Sequence, residues 1–116
     1  MKKYKIFYID DQSFALAQLI NAIPQKTDYE LTYVQRINDI VMDDFDLVIL
    51  DFYLDKDGKT ALDIVNFFLW MQIISFSTSQ SKNMLMLKKW AMYGVQKLKH
   101  TNENIELTKV MGKVFA

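Results

Sequence analysis

Three aspartates are the residues of this chain best placed to do chemistry. Asp10 and Asp11 follow the apolar run Tyr4–Ile9, and Asp51 follows the run Phe45–Leu50. A carboxylate can bind a metal or act as a nucleophile. Two carboxylates about 4 Å apart repel by roughly 4 kcal/mol at an effective dielectric near 20, so three at one point hold a proton or bind a cation. That cation would be hard and oxygen-ligated, Mg²⁺ or Mn²⁺. The chain has no cysteine and a single histidine, His100, which excludes a disulfide framework and leaves too few soft ligands for zinc. A metal beside a carboxylate can neutralise an incoming phosphoryl group and steer in-line transfer. Singly, each aspartate has a bland explanation: Asp11 as a helix cap, Asp51 as a turn. Their joint placement at the ends of neighbouring strands argues for a site.

That placement depends on the elements. Tyr4–Ile9 reads as a strand, followed by Leu16, Leu19, Ile20 and Ile23 at helical spacing up to Pro24. Tyr29–Val34 is a second strand, and Ile37, Ile40 and Val41 mark a short helix. Phe45–Leu50 is a third strand with an unbroken apolar centre. Asp57-Gly58 signals a turn in the loop Asp51–Lys59, and Leu62, Val65 and Leu69 predict a third helix. A fourth strand is predicted at Gln72–Phe76, a fourth helix at Lys82–Tyr93 and a fifth strand at Val95–Leu98. Leu107, Val110, Met111 and Val114 line a last helix capped by Thr101 or Asn102. Such alternation predicts an α/β fold: a doubly wound, five-stranded parallel sheet with helices on both faces. In the flavodoxin-like order 2-1-3-4-5, ligands bind beyond the carboxyl ends of the strands, where strands one and three are neighbours.

The 116 residues suit one domain, read as spanning 1–116. Lysine plus arginine balance aspartate plus glutamate at 14 each, so no overall field points to nucleic acid or an anionic membrane. The N-terminus Met1-Lys2-Lys3-Tyr4 lacks a leader's apolar stretch, and the run Ile64–Phe76 is interrupted by Asn66, Gln72 and Ser75. A cytoplasmic protein is expected. No output domain follows the last helix, so the chain reads as stand-alone or as a piece of a longer protein.

IDDQ at the first strand, LVILDFYLDKDG around Asp51, SFSTS at the fourth strand and KLKH at the fifth together resemble the CheY-like response-regulator receiver domain, in order and over essentially the whole chain. The resemblance implies that Asp51 is the phosphoacceptor. It implies Mg²⁺ held by Asp11 and Asp51, by Asp10 mostly through water, and by the Tyr53 backbone carbonyl. Ser77 would be the switch hydroxyl and Lys99 the cation that pairs with the phosphoryl group, with Thr78 and Lys97 as the other candidates for these roles. It implies a protein that catalyses its own aspartyl phosphorylation and dephosphorylation without being a conventional enzyme. A sensor histidine kinase or phosphotransfer protein would feed it. A downstream effector, or a second copy docked through the fourth-helix region, would read the surface of the fourth helix, fifth strand and fifth helix. The sequence departs from the family where His100 replaces a proline and where Gln96, Lys97 and Leu98 replace the usual aromatic. Bulky Tyr53 is expected to screen the acyl phosphate and slow its hydrolysis.

Competing functions fare less well. A flavodoxin-type binder needs a hydroxyl- and glycine-rich loop after the first strand, and Asp10-Asp11-Gln12-Ser13 would repel phosphate. A haloacid-dehalogenase-type phosphatase needs a second aspartate where Gln12 stands. A pseudo-receiver, using the fold as an interaction module without phosphorylation, is the remaining alternative. Met84-Leu85-Met86-Leu87 cannot all face one core, which suggests a thick core or a docking face, with Leu87 and Ala91 expected inside. Phe67, Phe68, Leu69 and Trp70 are expected mostly inside, and Lys88-Lys89 and Lys97–Lys99 on a solvated edge.

Overall fold

A computed structural model describes residues 3–55 and 57–116; Met1 and Lys2 of the stretch read for a leader, and Lys56 of the Asp51–Lys59 loop, lie outside them. Five parallel strands, β1 (Tyr4–Ile9), β2 (Tyr29–Val34), β3 (Leu47–Leu50), β4 (Ile73–Ser77) and β5 (Tyr93–Gln96), form one sheet in the order β2-β1-β3-β4-β5. This is the flavodoxin-like order. The sheet is covered on both faces, which is why its central strands are apolar without interruption. Alternation decides the sides. Ile6, Tyr8, Leu47, Ile49, Ile74 and Phe76 pack under α1 (Leu16–Ala22) and α3 (Ile105–Val114). Phe7, Ile9, Val48, Leu50 and Ile73 face Phe52, Phe68 and Met86, the last on α2 (Gln80–Lys89).

The second face is thinner in helix than expected. The predicted second helix is one 3₁₀ turn, Ile37–Asp39, and the third is a pair of them, Ala61–Asp63 and Val65–Phe68. Ile64, Val65, Phe67 and Phe68 are β-branched or aromatic and lose side-chain freedom in an α-helix, which weakens a regular helix here. Ala61, Ile64, Val65 and Phe68 are buried, whereas Phe67, Leu69 and Trp70 turn outward, Trp70 completely. The expectation of a mostly buried 67–70 run is corrected accordingly, and so is that for Leu87, which is 47% exposed beside buried Met86.

Two ends differ in ways that matter for the site. The α3 cap is Asn104, not Thr101 or Asn102; its side chain accepts from the Leu107 N–H at 3.1 Å. The fifth strand begins at Tyr93, two residues before the predicted start, because the Met92 N–H already bonds the Ile73 carbonyl at 2.8 Å. Gln96 therefore pairs with Ser77, and Lys97 is the first residue past the strand. None of the helices among the described residues is long and apolar enough to cross a membrane.

Candidate functional site

β1 and β3 deliver their aspartates at the same rim. The Asp51 N–H bonds the Ile9 carbonyl at 3.1 Å, which ties the first residue beyond β3 to the end of β1. Asp10, Asp11 and Asp51 then offer carboxylate oxygens that lie within 4.8 Å of one another. Asp10 is fully buried, Asp51 is 4% exposed and Asp11 faces solvent.

Each buried carboxylate has defined partners. Asp10 Oδ1 accepts from the Gln12 N–H at 2.9 Å, while Oδ2 accepts from the Tyr8 hydroxyl and from Lys97 Nζ at 2.7 Å. Tyr8 stands two residues earlier on β1, hence on the same face as Asp10. Asp51 Oδ1 accepts from the Phe52 N–H at 2.9 Å and lies 3.2 Å from Lys97 Nζ. The Lys97 side chain, 3% exposed, thus bridges two carboxylates, and the Phe14 ring lies 5.2 Å from its ammonium. With all four groups ionised, three negative charges meet one positive, and the excess of two is what a divalent cation would match.

That excess shows in the proton affinities. Burial, reinforced by the Asp10 charge and opposed by Lys97, pushes the Asp51 carboxyl up to about 7. Burial and Asp10 likewise raise Asp11, with Lys97 pulling the other way. The Tyr8 phenol is raised by burial first and by Asp10 second. It is therefore a neutral donor at any ordinary pH.

The other expected residues divide. Ser77 is buried at the end of β4, its Oγ accepting from the Ser79 N–H at 3.2 Å. Thr78 is exposed, and its carbonyl accepts from Gln96. Lys99 is exposed and lines a shallow surface concavity with Gln12, Phe14 and His100, not the carboxylate cluster. Lys97, the second choice from sequence, is the cation in the cluster, because β5 starts and ends two residues early. Tyr53 is 51% exposed, with its ring edge-on to Phe52 at 5.1 Å. The isolated bridge between Tyr53 and Thr60 uses the Phe52 carbonyl and the Leu54 N–H, so it leaves the Tyr53 carbonyl unconsumed.

Three positioning residues escaped sequence reading: Tyr8, Phe14 and Gln18. For Tyr8 the signal was available, since residues i and i+2 on a strand share a face. Gln18, fully buried on α1, donates to the Leu98 carbonyl at 2.6 Å and the Thr101 carbonyl at 3.1 Å, fixing the loop that follows Lys97. His100 in that loop has φ of 65°, a left-handed conformation that few non-glycine residues adopt.

No protein-family model matches the sequence, and a search of curated proteins finds no match. Solved structures do match. A response regulator receiver domain from Rhodospirillum rubrum superimposes with a TM-score of 0.70 at 15% identity, over 97% of this chain and 94% of that one. The response regulator protein TrrA from Thermotoga maritima, in complex with Mg²⁺-BeF, gives 0.68 at 19% identity over 96% and 98%. The phosphorylated cyanobacterial phytochrome response regulator RcpA gives 0.66 at 15% identity over 97% and 89%. The fold of this chain is the fold of response-regulator receiver domains.

Proposed function

We propose that the chain is a single receiver domain over residues 1–116 that accepts a phosphoryl group on Asp51. The observation that carries this reading is the gathering of three carboxylates within 4.8 Å around one buried lysine. Asp51 presents a carboxylate oxygen as nucleophile. As that oxygen bonds to phosphorus, the donor's own bond to phosphorus breaks and its electron pair leaves with the donor. Lys97, already 3.2 Å from Asp51, is placed to pair with a phosphoryl oxygen while Asp10 keeps hold of it. Ser77, at the neighbouring strand end, is the hydroxyl in this reading.

The residues present fit Mg²⁺ or Mn²⁺: every available donor is an oxygen, and the charge excess is that of a divalent ion. Asp11, Asp51 and the Tyr53 carbonyl would hold it, with Asp10, three of whose acceptor positions are taken, acting through water. A cation there supplies positive charge against the phosphoryl oxygens. The neighbour bound to Mg²⁺-BeF is consistent with this. A sensor histidine kinase or phosphotransfer protein as donor, an effector or a second copy as reader, and a cytoplasmic setting complete the proposal.

The test is mass spectrometry after incubation with a small acyl-phosphate donor and Mg²⁺. The parent gains one phosphoryl group that hydroxylamine removes, and Asp51→Asn gains none. A parent that stays unmodified under these conditions would sink the reading in favour of a phosphorylation-independent interaction module. One observation favours that module: every buried side-chain nitrogen and oxygen among the described residues already has a hydrogen-bond partner, so the site is satisfied without a phosphoryl group.

A further inference from the structure

A buried asparagine on α2 ties the candidate site to that helix. Asn83 is 1% exposed, and its amide makes four hydrogen bonds to the sheet. Its Oδ1 accepts from the Ser75 hydroxyl at 2.8 Å and from the Ser77 N–H at 3.0 Å. Its two Nδ2 hydrogens are donated to the Ser77 carbonyl at 2.9 Å and the Val95 carbonyl at 3.0 Å, with Gln80 Oε1 sharing one of them at 3.2 Å. Both polar groups of the Ser77 backbone therefore end on one side chain. The same carbonyl also accepts from the Lys97 N–H at 3.0 Å, so one peptide joins α2 to the lysine that bridges Asp10 and Asp51.

Close packing makes the tie stiff. A Cβ at Gly94 would stand 3.1 Å from the Asn83 carbonyl oxygen and 3.2 Å from its Cβ, so helix and strand can meet this closely only because residue 94 has no side chain. Buried groups with this many short bonds shift together or not at all.

We infer that Asn83 is the positioning residue through which displacement of Ser77 is passed to α2. This rests on the phosphoacceptor reading for what moves Ser77. The responding surface includes Met84 and Leu87, which are exposed on the same helix. Asn83 thus adds a tie from the middle of α2 to the site, beyond the bond from the Ser79 N–H at the start of that helix to Ser77 Oγ.

The experiment compares amide resonances of the isotope-labelled full chain with and without Mg²⁺ and beryllofluoride, in the parent and in Asn83→Ala. In the parent, Phe52 and the α2 amides from Met84 to Lys89 shift together. In the variant the Phe52 shift persists while the α2 shifts fall about threefold or more, as expected when the coupling is cut. Full-sized α2 shifts in the variant, or none in a parent whose Phe52 responds, overturn the inference. A silent Phe52 in the parent counts against the phosphoacceptor reading instead, and Ser77→Thr then serves as the push. Its added methyl moves the Met84–Lys89 amides only when Asn83 is present, and equal shifts with and without Asn83 overturn the link. If Asn83→Ala does not fold, Asn83→Ser is read the same way.

Discussion

Lys97 and Asp10, 87 positions apart, form an ion pair at 2.7 Å with side chains 3% and 0% exposed. Removing one partner of a buried pair leaves the other charge desolvated and uncompensated. Here the loss is aggravated, since Lys97 also offsets Asp51 and Asp11. Lys97→Met should cost about 3 kcal/mol in urea unfolding without metal, against under about 0.5 kcal/mol for Lys99→Met, a surface change. Equal losses from the two substitutions would show that Lys97 is not the buried counter-ion of Asp10. Acyl-phosphate labelling should follow the same division.

Asp51 gives the apo protein a pH dependence with a definite sign. Its carboxyl is raised to about 7 in the fold from an ordinary 3.8, so the folded state binds the proton more tightly than the unfolded chain does. That contribution is present in full below about 4 and is lost as pH rises through about 7. Asp51→Asn resembles the protonated form. In chelator it should gain stability over the parent, and the gain at pH 8 should exceed that at pH 5 by about 1–2 kcal/mol. Denaturation midpoints at the two pH values decide it; a gain independent of pH rules out the raised carboxyl. Mg²⁺ should stabilise the parent at pH 8 and leave the variant nearly unaffected.

The sheet was legible because its signal is local and redundant. Runs such as Tyr4–Ile9 and Tyr29–Val34 carry their own boundaries, and alternation with helical segments implies a parallel sheet, whereas the order 2-1-3-4-5 is that of the flavodoxin-like fold. The aspartates were legible for the same reason, since each sits one or two steps past a run. Lys97 was harder. Val95, Gln96, Lys97 and Leu98 read equally well as strand, and only the bond from Met92 to Ile73 fixes which lysine leaves the sheet first. Pairing register is a tertiary quantity. The missing third helix was hidden by its own apolar spacing: Leu62, Val65 and Leu69 fit a helical period, but β-branched Ile64 and aromatic Phe67 and Phe68 between them lower the α-helical propensity.

Tyr8 tunes the same cluster from beneath. Its hydroxyl and Lys97 Nζ share Asp10 Oδ2. A hydrogen bond to a charged group contributes about 1.5–3 kcal/mol, so Tyr8→Phe should lose about that much stability while keeping the aromatic contacts with Tyr33 and Phe76. It should also tighten divalent-cation binding, because Asp10 regains an acceptor position and more of its charge. Calorimetric titration with Mn²⁺ reads the second effect, and weaker binding by the variant would contradict it.

Tyr53 bears on how long a phosphoryl group would last. It stands two residues beyond Asp51, half exposed, with its ring steadied edge-on against buried Phe52. A bulky ring fixed at that distance obstructs the approach of water to an acyl phosphate, whereas a short polar side chain would leave room and could orient the water. Tyr53→Asn should therefore lose its phosphoryl group about tenfold faster, a barrier change of about 1.4 kcal/mol. The comparison is a decay time course at fixed Mg²⁺ after removal of the donor. Because the Tyr53 contribution to the site's cation is a backbone carbonyl, the substitution should leave Mg²⁺ affinity nearly unchanged, which separates loss of screening from loss of metal. Decay no faster than in the parent would mean that the ring does not stand between the acyl phosphate and solvent.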